Sequence, residues 1–504
     1  MRVTIPNRMN LRYLVVTVIA LAVVQIFEGT EPGFAGLGAV FILVWGLSFN
    51  ACEGFLYPTG GLIFFSGLST AVIGLFWKAI IVEPAQKNLA VPNKTMIVYV
   101  ASMAAAGLAA SFAHRISYRK GILSSFAAGE NMKLAAIGCL IFGVALEVTV
   151  GGGGDAGTLT SALRQFNQFN RMAIVLATTY EVQSSGGKRT LNWIIFAAGT
   201  VLFWQGLVGF SKEGIFVPFI TWLLPAIAAG AYFTKKHLIV IGLIGFFLVH
   251  WMVPYSQYGR QSREEIYDFD SSVATVSKYL FDLEGTRVAS QELEERIDLT
   301  DAIHYYDTPQ GLADREQMLA PDDALIQATD QYGTFGMWPT LHMYLNAIPH
   351  FIWKDKPIEN IGNVYAHQIG EVGEDDDTTG ISFSPWGDAY HQAGWLGVAF
   401  LVPLVVFLYG FINDSLCGSI RRSPWPLLAI LLGAHAIPQG LLDGIVYLST
   451  DGVFALLLIA SLSKWVLPLV AKLVTGGDRT RVIRAPEFRS RARSLSPVDP
   501  DVVV

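Results

Sequence analysis

Three cysteines in 504 residues, Cys52, Cys139 and Cys417, with none in the long polar stretch between Pro254 and Gly394, leave no material for a disulfide framework. The signatures of soluble enzymes are missing as well. There is no HExxH pair, no GxxxxGK[ST] loop and no GxSxG elbow. The run Gly151 to Gly154 before Asp155 carries no lysine and is not a phosphate loop. His304 with Asp307, and the other histidines of the polar stretch, lack metal-ligand spacing, so neither a metal nor another cofactor is expected. Charge is scarce too, at 15% of residues against 52% hydrophobic, and the mean hydropathy is +0.44. That balance excludes a string of soluble domains and makes the lipid bilayer the expected surroundings, with no nucleic acid among the partners.

What the chain has in abundance is apolar runs long enough to cross a bilayer as helices. About twelve are expected, at 13–28, 33–50, 60–82, 95–114, 134–150, 171–186, 191–210, 214–233, 237–254, 395–413, 425–445 and 449–472. Arg2 and Arg8 ahead of the apolar run Leu14 to Phe27 resemble a secretory signal, but no clean small-x-small cleavage site follows, so this run reads as an uncleaved first span. The fold class is thus an all-α polytopic membrane protein with one large, partly helical loop.

Charge sets the orientation. Arg115, Arg119 and Lys120, then Lys188 and Arg189, Lys235 and Lys236, and Arg421 and Arg422 fall in every second loop, which marks those loops as cytoplasmic. The basic ends of the chain belong on the same side, so both termini are expected inside and the span count even. Residues 255–394 then lie outside. They carry 25 acidic against 8 basic residues, a net of −17, while the rest of the chain carries 27 basic against 16 acidic, a net of +11. Most of those carboxylates, such as Glu374 to Asp377, read as a solvated outer surface.

Thr334 to Trp353 is free of formal charge but rich in proline, histidine and aromatic residues. A full crossing there would put the basic tail outside, so it reads as an interfacial helix with Trp338, Tyr344, Phe351 and Trp353 at headgroup level. The expected organisation is a membrane domain over 1–254, an acidic outer loop over 255–394, in which 271–300 is helical, a second membrane domain over 395–475, and a basic tail over 476–504 without fixed structure.

Four clusters on the outer side mix cations with proton acceptors. Lys212 and Glu213 follow the seventh span. Arg260 and Arg263 follow the ninth, where paired guanidinium groups suit a phosphate. Lys354 and Lys356 lie in IPHFIWKDKP, residues 348–357. Asp388 and His391 lie in WGDAYHQAGWLG, residues 386–397, three residues apart and thus on one helical face, as a general base and its partner need. Within the eleventh span, His435, Gln439 and Asp443 recur every four residues, and polar groups in a span serve function or pair with one another. Together these fit an amphipathic substrate with a lipid tail, a phosphate at headgroup level and a polar group reaching outward.

On the span layout with its outer loop, on IPHFIWKDKP and on WGDAYHQAGWLG, the chain resembles the bacterial oligosaccharide repeat-unit polymerases, the Wzy-type O-antigen polymerase family. The resemblance implies a GT-C-like architecture in the bacterial cytoplasmic membrane. It also implies a glycosyltransferase that joins undecaprenyl-pyrophosphate-linked repeat units, with a chain-length regulator as a further partner. It would make Lys212, Arg260, Arg263, Lys354 and Lys356 contacts to pyrophosphate or sugar, and Asp388 the first choice of base, with His391 and Glu213 beside it. Lysine at 212 stands where the family often has arginine, and His391-Gln392-Ala393 replaces the family's asparagine and aromatic residues. Three alternatives stay open: an O-antigen ligase, which shares the donor; a flippase or transporter of lipid-linked sugars, which would be expected to carry paired repeats that this chain does not display; and a lipid-phosphate-sugar-dependent glycosyltransferase, which tends to place acidic residues in the first outer loop, where Glu28 and Glu31 stand.

Overall fold

A computed structural model describes the chain except for residues 127–128, 151–166, 266–268, 296–302, 349–351, 354–359, 378, 439 and 476–504. Among the described residues every regular element is a helix, and the one extended pairing is a bridge between Arg2 and Tyr232. Seven helices are long and apolar enough to cross a membrane, and three shorter apolar ones accompany them. The protein is a helical membrane protein on these grounds.

The first nine expected spans all appear as helices. They are α1 (Leu11–Phe27), α2 (Pro32–Ala51), α3 (Pro58–Ile80), α4 (Pro92–Ile116), α5 (Glu130–Val150), α6 (Phe169–Ser184), α7 (Trp193–Val208), α8 (Lys212–Ala228) and α9 (Lys235–Ser262). Local chemistry sets where they begin. Pro32, Pro58 and Pro92 open their helices at the first turn, where an amide N–H has no partner to lose. Asn192, Ser211 and Thr234 cap α7, α8 and α9 by accepting from backbone N–H groups of the first turn.

The acidic segment folds as α10 (Phe269–Leu280), α11 (Leu283–Glu295), a single turn at Leu312–Arg315, α12 (Leu319–Tyr332), α13 (Trp338–Asn346) and α14 (Ile361–Gln368). The expected helical stretch 271–300 is thus largely α10 and α11. The expected interfacial segment contains α13, nine residues long and too short to cross. Pro339, Thr340, His342 and Met343 are buried in the protein, whereas Met337, Trp338 and Leu341 stay exposed. That two-sided character is what an interfacial helix needs.

The C-terminal part departs from expectation. The long helix α15 (Pro385–Cys417) starts ten residues before the expected tenth span, with a break in helical geometry at Ala393 and Gly394. The expected eleventh span is not one helix. Its first part is α16 (Trp425–Ala436), and a new helix, α17 (Leu441–Trp465), takes the rest together with most of the expected twelfth, followed by α18 (Leu467–Val474). Pro438 supplies the reason, because it has no N–H with which to continue the helical hydrogen bonds beyond Ile437. Gly440 (φ 96°) and Leu441 (φ 61°) then take left-handed backbone.

Loop contacts sort the chain into two ends. At one end Phe233 and Met1 exchange backbone hydrogen bonds, Tyr232 N donates to Gly187 O (2.8 Å), Phe55 N to Pro6 O, and Ile420 N to Leu56 O. The loops carrying Arg119, Lys188, Arg189, Lys235, Lys236, Arg421 and Arg422 all lie at this end. At the other end the acidic segment clasps the α3–α4 connection. Lys78, fully buried, pairs with Glu83 at 2.5 Å and lies 4.8 Å from the centre of the Tyr305 ring. Asp323 accepts from Thr95 Oγ1 at 2.7 Å. One apolar core runs through both layers, joining Phe41 and Leu75 of the spans to Tyr305, Leu319, Tyr365 and Phe383 of the acidic segment.

Candidate functional site

Four helix ends and a one-turn helix converge beneath the acidic segment. The turn Gly209–Phe210–Ser211 joins α7 to α8, and the two helices touch through backbone, since a Cβ on Gly206 would fall 2.4 Å from the carbonyl carbon of Gly214. Phe210 is held in left-handed backbone (φ 42°) by the end of α9 and by α10: Ser256 Oγ donates to its carbonyl (2.7 Å), and its ring packs against Tyr255 of α9 and Tyr279 of α10. The same carbonyl accepts from Arg260 Nε at 3.5 Å. This wedge brings Arg260 to the start of α8, where Lys212 and Glu213 stand.

Glu213 is the centre of the arrangement. Its Oε1 accepts from Arg171 Nη2 at 2.9 Å, and its Oε2 lies 2.7 Å from His435 Nδ1. Arg171 opens α6 and His435 closes α16, so one carboxylate ties three helices. A carboxylate here only accepts, so the imidazole carries its proton on Nδ1 and points Nε2 elsewhere. The three side chains are half-buried, with 17 to 30% of their surface exposed.

They line a cavity of about 420 Å³ shared with Lys212, Arg260, Arg315, Glu316, Ser382 and the apolar side chains Phe216, Val217, Ile220 and Leu431. The wall thus holds four fixed cations, from Arg171, Lys212, Arg260 and Arg315, against two carboxylates. Burial raises the Glu316 carboxyl above its ordinary value, while Lys212 draws it the other way. Such a cavity suits a ligand with several negative charges beside an apolar part.

Of the residues singled out in the sequence, Lys212, Glu213, Arg260 and His435 meet here. Asp388 and His391 do not line this cavity. Both are buried on the first turns of α15. Asp388 Oδ1 accepts from Tyr365 Oη (2.9 Å) and Gln392 Nε2 (2.8 Å), and its Oδ2 accepts from Leu442 N (2.8 Å), which caps the start of α17. His391 places Nδ1 2.8 Å from Thr329 Oγ1 and Nε2 2.8 Å from Gln368 Oε1. A second buried acid, Asp322, accepts from Tyr99 Oη (2.6 Å), from Ser384 N (2.9 Å) and from Ser384 Oγ. A Cβ on Gly387 would fall 2.5 Å from its carboxyl carbon. Burial raises Asp322 to about 7.

The four-residue spacing of His435, Gln439 and Asp443 is not one helical face. His435 ends α16, Asp443 lies in the first turn of α17, and Gln439 falls outside the described residues. Lys354 and Lys356 also fall outside them, as does the side chain of Arg263. Arg171 and Arg315 are cavity residues that the sequence did not single out. Arg171 was absorbed into the expected span 171–186, and its one signal is a charged residue in the first turn of an apolar run.

Compared with protein-family models, with curated proteins and with solved structures, the chain gives no match.

Proposed function

We propose that the protein is a membrane glycosyltransferase that polymerises undecaprenyl-pyrophosphate-linked oligosaccharide repeat units at the outer face of the bacterial cytoplasmic membrane, with both termini in the cytoplasm. The observation that carries this reading is the Glu213–His435 pair set in a cavity walled by Arg171, Lys212, Arg260 and Arg315. A pyrophosphate needs several cations, and a sugar hydroxyl needs a proton acceptor beside them. Apolar Phe216, Ile220 and Leu431 complete a site for a lipid-borne anion.

In this reading the hydroxyl of the incoming unit gives its proton to His435 Nε2, while Glu213 holds the ring and offsets the positive charge that forms on it. The hydroxyl oxygen bonds to the anomeric carbon of the growing chain. The bond from that carbon to the lipid pyrophosphate breaks, and its electron pair leaves on the phosphate oxygen, where Lys212, Arg260 and Arg315 offset the charge. Arg171 keeps the carboxylate in register. No nucleotide takes part.

Complementation of a strain lacking the protein tests this. Glu213→Gln should leave a single-repeat glycolipid in place of a polymer ladder, with the protein still in the membrane. Long lipid-linked chains that accumulate without being transferred would instead identify a ligase, and an unchanged ladder would remove Glu213 from the chemistry.

A further inference from the structure

Across α8 from the cationic cavity, α7, α8 and α9 part to leave an apolar groove of about 450 Å³, lined along its length by Phe196, Gly199, Phe203, Trp222 and Ile244. It lies on the outside of the bundle. The apolar window of α9 is 22% buried, against 44% or more in the other six long apolar helices, and Lys235–Phe247 buries no side chain at all. A bilayer-spanning helix so little covered by protein is covered by lipid.

One end of the groove is chemically different. It closes at Thr190 and His237, and the loops there carry the exposed side chains Lys188, Lys235 and Lys236. Arg189 is exposed too and pairs with Glu181 at 3.1 Å. The two loops are fixed to one another, since Tyr232 N donates to Gly187 O at 2.8 Å. Arg2 adds a guanidinium 4.4 Å from the centre of the Tyr232 ring. This is the end opposite the acidic segment. A long apolar slot open to the bilayer, with cations gathered at one mouth, complements an anionic headgroup carried on hydrocarbon chains.

We propose that this groove is a binding site for an anionic phospholipid, its phosphate held at Lys235, Lys236 and Lys188 and an acyl chain lying along Phe196, Gly199 and Phe203. The site is independent of the glycosyltransferase reading.

The test is native mass spectrometry of the full-length protein released from membranes containing equal phosphatidylglycerol and phosphatidylcholine. The protein should retain phosphatidylglycerol in preference. Lys235→Gln with Lys236→Gln, both at exposed positions, should weaken that preference by about fivefold for each lysine. Gly199→Leu should empty the groove and Gly199→Ala should not, because a Cβ at 199 meets only Pro218 Cβ, at 3.9 Å. Equal retention of the two lipids by the unaltered protein, undiminished retention in Gly199→Leu, or displacement of the lipid by inorganic phosphate would each overturn the proposal.

Discussion

Two carboxylate–histidine neighbourhoods stand in the same helical assembly, and they differ in what surrounds them. Around Glu213 and His435 the partners are charged, the side chains are half-buried and a cavity of about 420 Å³ opens beside them. Around Asp388 and His391 the partners are Tyr365, Gln392, Thr329, Gln368 and the Leu442 N–H, and both side chains are buried. The first arrangement has charge to offer a ligand. The second uses its acceptors to hold α17, α14 and α12 against α15. An acid and a histidine three residues apart on one helix are thus enclosed by uncharged partners here, while a pair drawn from two helices faces open space.

Substitutions sharpen or break that contrast. On the proposed polymerase reading the largest effect is expected from Glu213→Gln, which should lower polymer formation by about 10³-fold through lost proton transfer, with only a modest fall in melting temperature, because the amide oxygen can still accept from Arg171 Nη2. Next comes Arg315→Ala, at an exposed position on the cavity wall, expected to lower turnover by about 10²-fold through lost charge compensation. Polymer ladders at normal strength in both variants would mean that the cavity does not host the reaction.

Asp388→Ala should act through stability instead. It strands Tyr365 Oη, Gln392 Nε2 and the Leu442 N–H, and should cost about 3 kcal/mol, read as a lower melting temperature and less protein in the membrane. Polymer made per molecule of folded protein should hold. The contrast breaks if Asp388→Asn keeps its melting temperature and loses polymer as fully as Glu213→Gln, since Asp388 would then be a reacting group.

The helical layout was legible because each span writes itself as an apolar run bounded by proline or a capping side chain, as at Pro58, Pro92 and Asn192. Where the run continued through Pro438, apolarity outweighed the breaker and two helices read as one. Half of the cavity was legible for a related reason: Lys212, Glu213 and Arg260 sit at span ends, where charge stands out. Arg315 was hidden among the carboxylates of residues 255–394, and Arg171 by the apolar sequence that follows it. Only the wedge at Phe210 and the meeting of α6, α8 and α16 bring these charges together, and nothing in local sequence encodes that meeting. Asp388 was conspicuous for the opposite reason, being polar beside a span, and the fold answered it with three hydrogen-bond donors.

The smallest effect concerns Asp322, which belongs to the closed arrangement but titrates near neutrality. Burial raises its carboxyl to about 7, whereas an unfolded chain gives up that proton near about 4. The folded state therefore holds a proton that the unfolded state has lost across that window. Its contribution to stability is complete below the lower value and is lost as pH rises through about 7. Asp322→Asn cannot titrate, so its melting temperature should fall less than that of the unaltered protein between pH 5 and pH 8, measured in the same detergent. Parallel curves over that range would mean that Tyr99 and Ser384 hold Asp322 as a carboxylate throughout, and the buried network would then be a charged one.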